Sequence, residues 1–418
     1  MAFNPLEEQG IPLHKQLRSW SELNSTPYDT EAVHPHTRCR VIAMNGIEIE
    51  AIMNSHNAAR RIADVGVRQM LADVRRVEQQ QQKAVNWLIP AGESVLANTI
   101  GYEQVAVDLT AWVARNEPDP YLRQVYEFGL LEDYDHLYRY ANLMDLMGER
   151  RKAEAVTGDL TEILPGRPTI FHHRHPHDDL RRPMTVQAAH FQSILNGLTV
   201  LSAEQQTMNF YMNVGNRPED PLARALYLEI AQVEEEHVTH YESILDPSMS
   251  WMTNLAIHEY NECWNYWSCM QSEPDPRIKA VWELHLGMEL EHLRLACEAM
   301  KEVEGVDPEE VFPDKGVSAP LVFEPNKQYV REVIARTVQW TGYDSEFVSV
   351  DDLPEGHRFF EHQRTVNRDG TPSEQVIDRH RTEFGSEYRF STEGDHPVES
   401  LGISGTTEQS GYPNPSAR

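Results

Sequence analysis

The sequence predicts an all-α protein built from repeated helical hairpins, with long irregular arms at both ends. Three observations carry this. Segments EPDPYLRQVYEFGLLEDYDHLYRYANLM, PEDPLARALYLEIAQVEEEHVTHY and EPDPRIKAVWELHLGMELEHLRLACEAM each open with Asp-Pro and then place apolar residues at helical spacing. In each, the proline (Pro120, Pro221, Pro276) lies thirteen residues before an acid (Asp133, Glu234, Glu289), and a histidine follows three later (His136, His237, His292). Thirty residues before each acid stands a glutamate, Glu103, Glu204 or Glu259, inside another apolar helical segment.

Taken in chain order, residues 1–40 form an N-terminal arm and residues 41–146 two hairpins. The first hairpin is eroded: Glu48 and Glu78 are again thirty apart, but Gln81 stands where a histidine is expected and Val65 where a proline is. Residues 147–184 make a His-rich crossover linker, 185–304 two further hairpins, and 305–418 a C-terminal extension. The leading glutamates at 48, 103, 204 and 259 are separated by 55, 101 and 55 residues, as if a two-hairpin unit were duplicated around a long linker. Within the extension NKQYVREVIARTVQW reads as a helix, residues 342–418 as an extended arm, and GISGTTEQSGYPNPSAR as a mobile tail. Both arms suggest wrapping around a second subunit in a homodimer.

Composition narrows the function classes. Acids outnumber bases by 66 to 37, a formal charge of −29, which repels nucleic acid and anionic membranes. Neither a signal peptide nor a membrane-spanning apolar run is found, so a cytoplasmic location is expected. Cys39, Cys263, Cys269 and Cys297 form no CxxC pair, so no zinc knuckle or rubredoxin-type centre is read.

The spacing points to metal. An acid and a histidine three apart share one helix face, and a hairpin sets the upstream glutamate at their level, so two hairpins can assemble a dinuclear site. Carboxylates and imidazole suit divalent ions, whose charge makes such a cluster tolerable in a core. In QVEEEHVTHY, Glu234 and His237 should point inward, and Glu235 and Glu236 should be solvated. The long linker favours pairing the Glu103 hairpin with the Glu204 hairpin. The Glu259 hairpin would then face the Glu48 hairpin or its own copy across a dimer axis, and pairing of Glu103 with Glu259 stays open.

IAQVEEEH, following EQQTMNFYMNVGNRPEDP, resembles the rubrerythrin-like branch of the ferritin-like di-iron carboxylate superfamily, without its rubredoxin domain, over residues 90–300. That resemblance implies a ferritin-like four-helix bundle holding two iron ions, with a manganese–iron pair also possible. It makes Glu103, Glu204 and Glu259 terminal ligands, Asp133, Glu234 and Glu289 bridging ligands, and His136, His237 and His292 capping ligands. Two departures stand out: Asp133 is a methylene shorter than the family's glutamate, and three hairpins exceed the two that one site needs.

Other residues read two ways. Tyr211 and Tyr266, seven after their glutamates, are hydrogen-bond donors to the metal ligands, redox-active phenols or simply core. Glu262, His285 and His240 lie within one turn of ligand positions and are structural unless they join a site. FHHRHPHDDLRR, with His172, His173, His175 and His177, reads as a loop of solvated imidazoles rather than a defined metal polyhedron. The function expected is a non-haem di-iron oxidoreductase that reacts with dioxygen or peroxide and takes electrons from an external donor. The alternatives are a ferritin-like iron-storage protein or ferroxidase, and a helical scaffold with vestigial ligands.

Overall fold

A computed structural model describes residues 3–317 and 319–402, and they are predominantly helical. Eight long helices carry the argument: α1 (Pro35–Ala59), α2 (Val65–Asn86), α3 (Val95–Asn116), α4 (Pro120–Leu146), α5 (Phe191–Val214), α6 (Pro221–Glu242), α7 (Trp251–Ser272) and α8 (Pro276–Glu304). Their starts follow from the Asp-Pro signal. Asp119, Asp220 and Asp275 each accept from two backbone amides of the first turn, while the proline that follows has no amide to satisfy. Helix α2, lacking the proline, is capped by Asp64 through the Val67 amide.

The chain divides into two compact units that are not consecutive stretches. Unit 1 comprises residues 1–93, 183–206 and 245–323, and unit 2 comprises 94–182, 207–244 and 324–418. The division falls within the uninterrupted helix α5, after Gln206.

In unit 1, α1 packs on α2 and α7, and α8 on α7 and α2, so each of the four helices touches two others. Gly46 lets α1 approach the first part of α5: a Cβ there would lie 2.7 Å from Gln206 Nε2 and 2.9 Å from the Ser202 carbonyl oxygen. The N-terminal arm lies against its own chain. The Ile11 amide donates to the Gly287 carbonyl at 2.6 Å, and Gln16 is fully buried beside α8.

In unit 2, α3 packs on α4, and α6 on α4. Tyr211 of α5 meets Tyr227 of α6 with ring centroids 5.6 Å apart, and Tyr102 of α3 stacks on Phe210 of α5 at 4.3 Å. The C-terminal extension carries the helix expected in NKQYVREVIARTVQW, but from residue 342 it differs from the expected extended arm. It supplies α9 (Lys327–Thr337), an antiparallel pair β1 (Trp340–Tyr343) and β2 (Glu346–Ser349), α10 (Arg358–Val366) and α11 (Pro372–Phe384). Val330, Val333 and Ile334 of α9 and Val376 and Ile377 of α11 join the unit 2 core, each burial contributing about 1.5–3 kcal/mol as an upper estimate. Prolines, glycines and charges made the region beyond α9 look extended and obscured the short apolar helical spacing within it. The N-terminal arm and the described part of the C-terminal extension both pack against their own chain. The expected tail lies outside the described residues from 403 onward. No helix among the described residues is long and apolar enough to cross a membrane. The four cysteines are buried and form no disulfide.

Candidate metal centres

In unit 2, Glu103 of α3, His136 of α4 and Glu234 of α6 each present a ligand atom, all within 4.8 Å of one another and all buried. His136 Nδ1 lies 3.0 Å from Glu234 Oε1 and 4.0 Å from Glu103 Oε2. Asp133 and His237 also meet in unit 2, whereas Glu204 stands on the part of α5 that belongs to unit 1. His237 Nδ1 is 3.4 Å from Asp133 Oδ1 and 3.5 Å from Glu234 Oε2, so Glu234 reaches both groups. Burial works to raise the Glu234 carboxyl, but hydrogen bonds to His136 and His237 outweigh it and hold it down at about 2. Tyr211 donates its phenol proton to Glu103 Oε1.

The outer nitrogen of His237 fixes its tautomer. His237 Nε2 lies 2.9 Å from Glu132 Oε2. Against the burial that would raise it, Arg174, Arg167 and His237 hold the Glu132 carboxyl well below its usual range. An ionised carboxylate can only accept, so Nε2 carries a proton, and Nδ1, which faces Asp133 and Glu234, is the nitrogen that a metal would take in place of its proton. Arg167 and Arg174, with no exposed side-chain surface, come from the linker: Arg167 lies 2.9 Å from Glu132 Oε1, and Arg174 pairs with Glu132 and with Asp179 at 2.8 Å.

In unit 1, Glu78 of α2, Glu259 of α7 and His292 of α8 form one buried group within the same 4.8 Å span, and Glu48 of α1, Glu262 of α7 and Glu289 of α8 another. His292 Nδ1 sits 2.9 Å from Glu289 Oε2 and 4.0 Å from Glu259 Oε2. Its Nε2 meets Gln16 Oε1 at 2.7 Å. The Gln16 amide nitrogen donates to the Ile11 carbonyl at 2.6 Å and faces the Met288 carbonyl at 3.3 Å, which orients the oxygen toward His292. His292 therefore adopts the tautomer of His237, with a neutral amide in place of the charged carboxylate. Tyr266 donates to Glu48 as Tyr211 does to Glu103, and His285 Nδ1 lies 3.1 Å from the Tyr266 hydroxyl.

Electrostatically the two units are opposites. In unit 1 burial pushes the Glu48, Glu259 and Glu262 carboxyls well above the usual range and Glu78 up to about 7, with neighbouring carboxylates adding to it. His292 is raised, because the Glu289 carboxylate outweighs the burial that would lower it.

Of the nine ligand positions expected from sequence, Glu103, Asp133, His136, Glu234 and His237 come together in unit 2, and Glu259, Glu289 and His292 in unit 1, where Glu48, Glu78 and Glu262 complete the sets; Glu204 belongs to the unit 1 part of α5. The histidine tract differs from the solvated loop expected: His172 and His173 are buried, and only His175 and His177 are not. His173 Nε2 lies 3.0 Å from Glu229 Oε1, and its Nδ1 2.7 Å from Asn367. Burial pushes the His172 imidazole well below its usual range, so it is held neutral beside the His136 ring at 5.4 Å between centroids. His240 is likewise held neutral by burial. Glu235 is exposed as expected, but Glu236 is half-buried and sits 3.3 Å from Arg174. Sequence reasoning missed Glu132, Arg167, Arg174 and Gln16. The first three are visible only as charges inside an apolar run and a linker, and Gln16 carries no pattern at all.

No protein-family model matches this chain, and the searches of curated proteins and of solved structures also return no match.

Proposed function

We propose that unit 2 holds a dinuclear non-haem metal centre, an iron pair or a manganese–iron pair, in a ferritin-like arrangement of helical hairpins, and that the protein is an oxidoreductase acting on dioxygen or peroxide. The observation that carries this reading is the buried meeting of Glu103, His136 and Glu234 from three helices, with Asp133 and His237 one turn away on the same faces. Two imidazoles and several carboxylates fit a pair of first-row ions better than any arrangement of protons. When bound, such a pair supplies two electrons and open positions for an oxygen ligand.

The chain's own residues do the rest. Tyr211 holds a proton at its phenol oxygen against Glu103, next to the metal position. Glu132, braced by Arg167 and Arg174, keeps the His237 Nε2 proton in place and so presents Nδ1. Every ligand side chain named is at most 2 % exposed, so water reaches the site little and charge interactions there are strong. The four cysteines all lie in unit 1 and form no redox pair, so electrons must come from an external donor.

Metal analysis of the purified protein with an optical spectrum after exposure to air tests the reading. About two ions bound in unit 2, with an oxo-bridged absorption that His237→Ala bleaches, would support it. Retention of both ions and the absorption in that variant would overturn it. Dozens of irons per chain would mean storage, and none a scaffold.

A further inference from the structure

We propose that unit 1 carries a second metal centre of different chemistry, in which Glu262 supplies the ligand that His136 supplies in unit 2, and which takes hard divalent ions such as Mn²⁺. The argument stands whether or not the unit 2 centre is redox-active.

The internal repeat makes the comparison position by position. Gln81 follows Glu78 by three, as His136 follows Asp133; Glu262 follows Glu259 by three, as Thr207 follows Glu204. Thus one unit has histidine and threonine where the other has glutamine and glutamate. Gln81 does not act as an imidazole would: its amide nitrogen donates to Glu289 Oε1, pointing a hydrogen, not a lone pair, into the cluster. The donor lost on α2 reappears on α7. Counting the grouped residues, unit 2 offers Glu103, Asp133 and Glu234 with two histidines, and unit 1 offers Glu48, Glu78, Glu259, Glu262 and Glu289 with one.

A cluster of acids alone would not make a site, but Glu262 adds a separate observation. It is 1 % exposed, it shares its group with Glu48 and Glu289, and neither of its oxygens has a hydrogen-bond partner. Protonation would remove its charge but supply only one hydrogen, at one of its two oxygens. The basic side chains of α1 are committed elsewhere: Arg38 to Glu93 at 2.8 Å and Arg40 to Glu273 at 2.8 Å. A divalent cation satisfies what neither proton nor arginine does here. Oxygen-dominated sets suit hard ions that keep water ligands.

The test uses the full chain, stripped with a chelator and reloaded with Mn²⁺ alone, with bound metal counted by elemental analysis and affinity measured by competition. In a His136→Ala/His237→Ala background, which disables unit 2, about two Mn²⁺ per chain should remain. Adding Glu262→Thr should weaken their binding by about 10–100-fold, and adding Gln81→His to that variant should restore binding of Fe²⁺ better than of Mn²⁺. Restoration by the swapped pair would not arise if Glu262 merely supported the fold. Glu262→Gln, isosteric with the native side chain, serves if the threonine variant does not fold. No Mn²⁺ in the unit 2-disabled chain, or unchanged affinity on loss of the Glu262 carboxylate, would overturn the proposal. Neither result would touch the unit 2 reading, which the His237→Ala spectrum decides separately.

Discussion

Unit 1 and unit 2 place their acids, phenols and imidazoles at matching positions, yet they balance the buried charge by different means. In unit 2 the balance is internal: His136 sits 3.0 Å from Glu234, and Arg167 and Arg174 neutralise Glu132 behind His237. In unit 1 only His292 faces five carboxylates, and the group behind it is the neutral amide of Gln16. A hairpin spacing of thirty residues therefore fixes where donors meet but not which donors they are. Ligand identity can be exchanged between helices so long as the cluster still closes around a cation.

The largest effect expected from this contrast is on removal of metal. Each occupied site at metal concentrations of about 100 times its dissociation constant adds about 2.7 kcal/mol to stability, so stripping should lower the melting temperature of the whole chain. The loss should be uneven. Without metal, Glu234 keeps its histidine partners, whereas both Glu262 oxygens are left buried and unpartnered, at about 1–3 kcal/mol per unsatisfied group. Hydrogen exchange of the stripped protein should accelerate in α7 and α8 before α4 and α6. Equal acceleration, or earlier opening of α4 and α6, would break the comparison.

The next effect concerns the groups behind the imidazoles. Glu132→Gln keeps the shape but weakens the acceptor for His237 Nε2 and leaves Arg167 and Arg174 undercompensated, although Arg174 retains Asp179 at 2.8 Å. Metal affinity in unit 2 should fall by about 10–100-fold. Gln16→Leu removes a neutral acceptor from His292 and should weaken unit 1 by less, since the bond lost carries no net charge. Chelator competition, resolved into two classes of site, measures both. If Gln16→Leu proves as costly as Glu132→Gln, the charge behind the imidazole is not what distinguishes the units.

How far the sequence carried these conclusions depends on whether a residue's role is local. Asp119, Asp220 and Asp275 cap their helices through amides two and three residues away, so the Asp-Pro signal was sufficient for the hairpins. The acid–histidine pairs share a helix face and were equally legible. Glu132 was not, because its meaning depends on arginines more than thirty residues away in a linker whose histidines and charges look solvated until α10 and α11 cover the region. The discontinuous units were hidden for the same reason: hairpins 211 residues apart in sequence, led by Glu48 and Glu259, meet in unit 1, and no local pattern encodes which hairpin meets which. What pointed to the first and last hairpins meeting was the long crossover linker, which favoured pairing the two middle hairpins with each other.

The smallest effect, and the one that tests whether the two units are alike at all, concerns the phenols. Tyr211 and Tyr266 each follow a leading glutamate by seven, two helical turns on, and each donates to the glutamate of the opposite hairpin, Glu103 or Glu48. Replacing either with phenylalanine removes a hydrogen bond to a carboxylate without changing volume, at a cost of about 1.5–3 kcal/mol. Tyr266→Phe should cost slightly more, because His285 Nδ1, 3.1 Å from that hydroxyl and held neutral at about 3 by burial, loses its partner too. Urea midpoints of the metal-free variants measure the difference. A Tyr211→Phe change much larger than Tyr266→Phe would mean that the phenols serve different ends, and that the correspondence between the two units stops at the ligands.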